Sequence, residues 1–141
     1  MEDVESFTDL GVLFDRRLRF NLHVEFSISK ASSALGFIKR WSKELDDPYI
    51  TKRLYTCLVR PILEYASIVW SPSYRCYVDS IESIQKQFLL FALRNLGWDP
   101  SASLPPYENR LLLLSLPSLE KRRFVLGVCF ALLTRRHYLE K

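Results

Sequence analysis

The sequence predicts a mainly α fold, a bundle of about five helices preceded by a short N-terminal β-hairpin. Its 141 residues are 48% hydrophobic, which is enough apolar material for one sizeable core. Apolar residues recur three or four positions apart over most of the chain, as they do on one face of an α-helix. Most of the prolines stand between these periodic segments, where helices begin or end.

The first twenty residues have the pattern of strands. Leu10, Val12 and Phe14 alternate as one strand, 15–17 is a charged turn, and 18–20 is a short return strand. A lone hairpin is only marginally stable in water, so this one needs a surface to lie against. We therefore expect a residual hairpin at 1–20 and a helical domain at 21–141.

The first helix is predicted from an N-cap at Asn21 to about Trp41. Its apolar face consists of Val24, Ile28, Ala31, Leu35 and Ile38.

The second helix is predicted from 48 to 70. Asp47 is its N-cap and Pro48 its first residue, while Pro61 inside it predicts a kink. The expected buried stripe is Leu54, Leu58, Ile62, Tyr65 and Val69. The expected polar face is Arg53, Thr56, Arg60, Glu64 and Ser67.

Three further helices complete the prediction. One runs from Tyr74 to Leu96 and stops at Gly97, a short one runs from Pro106 to Leu114, and Pro117–Ser118 opens the last. The expected apolar face of the longest is Tyr77, Ile81, Ile84, Phe88, Phe91 and Leu96. The last helix contains the apolar run 124–133, which is too short for a bilayer that needs roughly 20 residues.

Motifs for catalysis or metal binding are missing from the sequence. Asp46–Asp47 resembles a metal-binding carboxylate pair, but the following proline favours a helix cap. His23 and His137 stand far apart, without cysteine or carboxylate at ligand spacing. We expect no catalytic residue, no metal and no cofactor.

The cysteines and the N-terminus indicate the compartment. Cys57, Cys76 and Cys129 are odd in number and widely spaced, so we expect reduced core thiols. No secretory signal is visible. These observations predict an intracellular protein, either nuclear or cytoplasmic, without a membrane partner.

The net charge of +4 is unevenly distributed. Residues 16–141 hold 20 basic and 11 acidic residues, a net charge of +9, which favours an anionic partner. The candidate nucleic-acid-binding residues are Lys30, Lys39, Arg40, Lys43, Arg53, Arg60, Lys86 and Arg94. The alternative is a solvated face on which Arg60 pairs with Glu64.

The aromatic and basic residues at helix ends have two interpretations each. Trp41, Trp70 and Trp98 suit base stacking or core packing, and packing is favoured. The clusters 121–123 and 135–136 suit a nucleic-acid patch or, more simply, favourable helix-end charges.

Several segments, in this order and spacing, resemble the C-terminal thumb region of reverse transcriptases of non-LTR (LINE-type, jockey-like) retrotransposons. The similarity extends from Asp9 to Arg136. The matching segments are Asp9–Val12, Lys30–Lys39 around the ALGFIKR stretch, Leu54–Tyr55 with Tyr65 and Trp70, Ile84–Lys86, Leu104–Arg110 and Leu116–Arg123.

This resemblance implies a thumb that grips the primer and template duplex and positions it for catalysis elsewhere. In that family the catalytic aspartates and their Mg²⁺ belong to a palm domain upstream of the matched region. We therefore expect no enzymatic activity from this chain alone. The expected partner is nucleic acid, a duplex or RNA/DNA hybrid held by its backbone, with a palm domain or self-association as further contacts. The alternative is a helical interaction or self-association module without a nucleic-acid role.

Overall fold

Helices form most of the structure, as predicted, and a two-stranded hairpin precedes them. The computed structural model describes residues 6–45, 47–99 and 101–139, with side chains apart from those at 43–45 and 138–139. The strands are β1 (Ser6–Asp9) and β2 (Val12–Asp15). The helices are α1 (Asn21–Leu45), α2 (Pro48–Leu54), α3 (Arg60–Glu64), α4 (Ser67–Trp70), α5 (Arg75–Asn95), α6 (Tyr107–Leu113) and α7 (Leu119–Leu139), with a π-helical turn at Tyr55–Val59.

The hairpin lies earlier in the chain than predicted. β1 and β2 pair antiparallel with Asp9 opposite Val12, so the hairpin turn is Leu10–Gly11. The chain also turns at 15–17 as predicted, where the Leu18 N–H donates to the Asp15 carbonyl at 2.9 Å, but the return strand predicted at 18–20 does not form. Both turn residues have positive φ, 45° at Leu10 and 80° at Gly11, as a tight hairpin turn requires. Glycine adopts this conformation at little steric cost, which determines where the chain reverses.

The hairpin lies against the helices. Val12 is buried in the common core, and the Leu13 N–H donates to His23 Nδ1 of α1 at 3.2 Å. Tyr65 Oη donates to the carbonyl of Leu10 at 2.8 Å. α1 and the α3–α4 junction therefore supply the surface against which the hairpin packs.

α1 uses the predicted apolar face but not the predicted cap. Its predicted core residues are buried, apart from a half-buried Ile28. Asn21 is already helical, and its buried Oδ1 has no hydrogen-bond partner among the described residues. Asp15 Oδ1 instead accepts the Arg19 and Phe20 N–H groups just before the helix, at 2.7 and 3.4 Å. The helix also continues four residues beyond Trp41.

The predicted second helix is bent and divided. Asp47 caps α2 as predicted, with its Oδ1 accepting the Tyr49 N–H at 2.8 Å. The bend occurs at the π turn, where the Arg60 N–H bonds to the Tyr55 carbonyl just before Pro61, which has no N–H. A further break, not predicted, follows at Ala66, whose φ is 52°.

The stripe predicted for this segment is only partly correct. Leu54 and Ile62 are half-buried against the core, but Leu58 is exposed. The fully buried residues between 51 and 63 are Thr51, Tyr55, Val59 and Leu63. A stripe with steps of four drifts by about 40° per step around a regular α-helix. The wider π turn corrects this drift, so residues four apart stay directed at the core. Tyr65 and Val69, also assigned to the stripe, are exposed, and Ser67, assigned to the polar face, is buried.

α5 is the central helix of the core. Ile81, Ile84 and Phe88 are buried as predicted, but Leu96 is 53% exposed because the helix has ended at Asn95. Gly97, with φ 82°, terminates it as predicted. Tyr77 and Phe91 are half-buried. The starts predicted for the last two helices are confirmed. α6 begins after Pro106, and Ser118 Oγ accepts the Lys121 N–H at the start of α7.

The cysteines are not core thiols. Cys57, Cys76 and Cys129 are all exposed and free. Cys57 lies on the outer side of the π turn, two residues from buried Tyr55 and Val59, and Cys129 lies on the exposed part of α7. None of the described helices is long and apolar enough to cross a membrane.

A buried polar network connects α5 with the segments around it. Gln85, fully buried, accepts from Tyr55 Oη at 2.8 Å and donates to the Pro117 carbonyl at 2.9 Å and to Tyr107 Oη at 3.2 Å. Tyr107 Oη donates to Glu82, and Glu82 accepts the Leu119 and Glu120 N–H groups at 3.0 and 3.1 Å.

The same network orders an aromatic pair. The Tyr55 ring stacks on Phe88, with centroids 4.0 Å apart. Burial, the largest effect, raises the pKa of both Tyr55 and Tyr107, so their hydroxyls remain protonated donors. The carboxylate of Glu82 stabilises the start of α7 because it accepts helix N–H groups that have no intrahelical partner.

Replacing Gln85 with leucine tests the network. Gln85→Leu leaves the buried Tyr55 hydroxyl and Pro117 carbonyl without their partner, and each loss costs about 1–3 kcal/mol. We expect the free energy of unfolding, measured in urea, to fall by about 2–4 kcal/mol. Gln87→Leu, at an exposed position of the same helix, is the control and should change it by less than about 0.5 kcal/mol. Equal effects of the two variants would contradict the network.

His23 predicts a pH dependence of stability. Burial lowers the pKa of His23 from its usual value of 6.5, and its Nδ1 must stay unprotonated to accept the Leu13 N–H. Its contribution to stability is therefore complete above pH 6.5 and is lost as the pH falls from 6.5 to the lower folded pKa.

His23→Asn keeps an acceptor for Leu13 but cannot titrate in this range. Urea unfolding from about pH 8 to about pH 5 should show a larger loss of stability for the wild type than for this variant. The control His137→Asn, at an exposed residue, should follow the wild type. Parallel curves for all three proteins would show that His23 is not the responsible group.

Candidate nucleic-acid interface

The predicted basic residues are accessible but do not share one side of the bundle. The side chain of Lys43 lies outside the described residues. Lys30, Arg40, Arg53, Lys86 and Arg94 are exposed, and Lys39 and Arg60 are half-buried. Lys30 and Lys39 are nine residues apart on α1, which is about two and a half turns, so they lie on opposite sides of that helix.

Arg53 and Arg60, expected together on one polar face, lie on different sides. Arg60 directly follows buried Val59, next to Glu64 on the flank that contacts α7. Arg53 lies midway between buried Thr51 and Tyr55 and is exposed. The structure therefore separates the two arginines, because the π turn changes the helical phase between them.

The Arg60–Glu64 pair considered from the sequence does not form. Glu64 instead accepts from Arg122 of α7, through Nε and through Nη2 at 3.0 Å. This hydrogen bond raises the pKa of Arg122 and keeps it ionised. The ion pair joins α3 to α7, a contact between residues 58 positions apart that no local pattern could indicate.

An aromatic and basic stripe runs along the outer side of α1. Phe26, Lys30, Phe37 and Trp41 follow one another at intervals of four, seven and four, which places them on one face of a helix. Phe26, Phe37 and Trp41 are 56%, 46% and 53% exposed. Arg40 lies at the edge of this face. We call these five residues the α1 stripe.

The tryptophans differ in environment. Trp41 was expected to pack in the core, and this is wrong because its ring is exposed and lies 5.8 Å from Phe37, centroid to centroid. Packing is confirmed for Trp70, which is 1% exposed and donates from Nε1 to the Tyr65 carbonyl at 2.6 Å. Trp98 is half-buried, and its Nε1 has no hydrogen-bond partner among the described residues.

Phe26 and Phe37 were not among the residues predicted from the sequence. Their signal is present, since they repeat in helical phase with Lys30 and Trp41 and out of phase with the core residues Leu35 and Ile38. The candidates predicted from charge contain no aromatic residue, and the tryptophans that suit stacking stand at predicted helix ends, so Phe26 and Phe37 meet neither criterion.

Many acidic side chains are engaged inside the fold. Asp15 and Asp47 accept backbone N–H groups before helices, and Glu82 accepts those of α7. Asp79 and Glu120 pair with Arg75, and Glu64 pairs with Arg122. Within the described part of the chain, Lys30 and Arg40 of the α1 stripe form no ion pair. Their positive charge is therefore available to an external anion.

Lys86 belongs to a second, smaller basic cluster. Lys86 Nζ lies 5.2 Å and Arg110 Cζ 5.6 Å from the centroid of the Tyr107 ring. Both cations interact favourably with the ring face. Lys86 thus helps to hold α6 against α5, a structural role besides any contact with phosphate.

Carboxylates for metal binding do not come together in the described ranges. No group of three or more His, Cys, Asp or Glu residues there has a geometry suited to a metal ion. Of the pair 46–47, Asp46 lies outside the described residues, and Asp47 serves as the cap of α2.

No protein-family model, curated protein or solved structure matches the chain. The candidate interface therefore depends on its own geometry.

Two tryptophan variants test which of the side chains, Trp41 or Trp70, contributes to the core. Trp41→Ala removes a side chain that is half in solvent, so we expect the free energy of unfolding to change by less than about 1 kcal/mol. Trp70→Ala empties a core position and should cost about 3–5 kcal/mol. Urea unfolding of both variants checks this. A large loss of stability for Trp41→Ala would contradict an exposed Trp41 and indicate that its side chain packs in the core.

Proposed function

We propose that this protein is a thumb-like, non-catalytic module that binds nucleic acid without sequence preference. Its partner is a duplex or an RNA/DNA hybrid, held through the backbone. The observation that carries the proposal is the α1 stripe, in which cations without an ion pair among the described residues alternate with exposed aromatic rings along one helix. The resemblance of the ordered segments from Asp9 to Arg136 to retrotransposon reverse-transcriptase thumbs supports the same role.

Binding to a nucleic-acid backbone needs positive charges spaced along an exposed surface, and it does not need a closed pocket. Lys30 and Arg40 lie ten residues apart on α1, about 15 Å along the helix axis. Phosphates along one strand repeat at about half that spacing or less, so both cations can reach phosphates of one bound segment. Such contacts position a nucleic acid without reading its sequence.

The aromatic rings add a contact that charge alone does not supply. Phe37 and Trp41 lie side by side in solvent beside Arg40. Aromatic side chains stack on unpaired bases with about 1–3 kcal/mol per base and without base preference. An unpaired template base next to a duplex end is a suitable partner for this pair.

The core constrains how α1 presents the stripe. The opposite face of α1 contributes Val24, Ala31, Leu35 and Ile38 to the core, so the helix cannot rotate without exposing them. The stripe is therefore fixed in direction on a rigid element, as a backbone-holding surface requires.

Binding assays on variants of the α1 stripe test the proposal. Fluorescence anisotropy with labelled duplex, RNA/DNA hybrid and single strands should show binding that weakens steeply from about 50 to about 200 mM salt. The double variant Lys30→Gln and Arg40→Gln should reduce the slope of log affinity against log salt by about 1.8, since each duplex phosphate contact contributes about 0.9.

The matched control removes two charges elsewhere. Lys121→Gln with Arg135→Gln, at exposed residues of α7, lowers the net charge equally and should leave the slope nearly unchanged. Phe37→Ala with Trp41→Ala should weaken binding to substrates with unpaired bases more than binding to blunt duplex. Equal losses in the charge variant and its control, or binding indifferent to salt, would reject the α1 stripe as the site.

A further inference from the structure

Helix α7 leaves the body of the protein after its first turn. Its N-terminal end is held firmly, because Leu119 is fully buried, Glu82 accepts its first N–H groups and Arg122 pairs with Glu64. From Phe124 to His137 every residue is exposed or half-buried. Two-thirds of the helix therefore has no covering layer among the described residues.

This free part of α7 has the composition of a buried helix. The ten residues 124–133 are all apolar or small, without a polar face. A helix that is apolar around its circumference is normally covered on all sides. Only one side faces the body, where residues 124, 127, 128 and 131 line a groove of about 440 Å³ with Ile68 and Val78.

The apolar residues on the outer side of α7 form a palindromic pattern, the same in both chain directions. Cys129 lies opposite the groove-lining Gly127, since two residues rotate a helix by about 200°. The positions three and four before Cys129 are Leu126 and Val125, and those three and four after it are Leu132 and Leu133. A small side chain is thus flanked by two large aliphatic ones on each side.

We propose that this surface binds a second copy of the chain, with the two α7 helices antiparallel and crossing at Cys129. A two-fold interface brings the same patch of both subunits together, so it requires a self-complementary surface. The palindromic pattern meets this requirement, because Leu126 of one copy faces Leu133 of the other on one flank of the contact and Val125 faces Leu132 on the other flank. The small cysteine at the crossing point lets the helix backbones approach closely.

The exposed area reaches the lower limit for such a dimer. Outside the groove lining, five apolar residues of α7, Val125, Leu126, Phe130, Leu132 and Leu133, are 40–67% exposed. At roughly 200 Å² for a large residue, half of it exposed, they offer on the order of 500 Å² per chain, or about 1,000 Å² in total, the smallest area expected of a specific interface.

Charge favours the antiparallel orientation. Parallel helices would bring both copies of the 135–137 segment together, with arginines adjacent to arginines. Antiparallel helices place Arg136 near Arg122 of the other copy, whose charge Glu64 already balances.

Sedimentation equilibrium and light scattering over about 1 to 100 μM protein test the dimer. The average molar mass should rise with protein concentration and level off at the mass of two chains. Leu126→Glu with Leu133→Glu should raise the dissociation constant at least about 100-fold, since it places charges in the interface. Leu112→Glu with Leu113→Glu, on exposed leucines of α6, is the matched control and should leave dimerisation unchanged. A constant monomer mass, growth beyond two chains, or an equal effect of the control would overturn the proposal.

Disulfide trapping tests the orientation in a background of Cys57→Ser, Cys76→Ser and Cys129→Ser. A mixture of Leu126→Cys and Leu133→Cys proteins should give covalent heterodimers on mild oxidation. Leu126→Cys alone should not, because antiparallel helices separate the two copies of position 126 by about 9 Å along the axis, beyond the roughly 7 Å limit for Cα atoms in a disulfide. Rapid cross-linking of Leu126→Cys to itself, without heterodimers, would overturn the antiparallel pairing.

Discussion

The buried hydrogen bonds of Gln85 and Glu82 are the constraint on which the arrangement of the helices depends. Both residues belong to α5, one turn apart, and between them they contact the π turn through Tyr55, α6 through Tyr107 and the start of α7. Buried polar groups cost free energy unless each finds its partner, so only one relative placement of these segments is acceptable. Apolar packing alone would tolerate several. The α7 helix in particular owes its direction to Glu82, because few of its own residues are buried.

The bend before Pro61 has consequences well beyond its own turn. The π turn brings Tyr55 to Gln85 and keeps Val59 and Leu63 in the core. Past Pro61 the chain breaks at Ala66, and the break is held by the indole of Trp70 bonding to the Tyr65 carbonyl. Tyr65 in turn bonds to the hairpin turn at Leu10. One local irregularity thus links the central core to the N-terminal hairpin.

The two proposed surfaces lie on different helices and use different physics. The α1 stripe combines charge with exposed rings on a helix that the core holds from behind, and its interactions weaken with salt. The outer side of α7 is apolar, and its pairing depends on removing about 500 Å² from water in each chain. A dimer formed through α7 would join two α1 stripes in one particle. Binding of the first stripe to a long nucleic acid would then raise the effective concentration of the second.

The sequence by itself determined the helical class, most helix ends and the α1 core face, because caps, prolines and 3.6-residue periodicity are local properties. Asp47, Gly97 and the series from Val24 to Ile38 behave as their neighbours predict. Only the tertiary structure decided which side of the Pro48–Trp70 segment is buried, because both sides carry apolar residues and the π turn changes the phase between them. It likewise decided that Glu64 pairs with Arg122, that Trp41 is exposed while Trp70 is buried, and that the predicted cations divide among several sides. These outcomes depend on contacts between residues far apart in the chain, and local patterns contain no information about them.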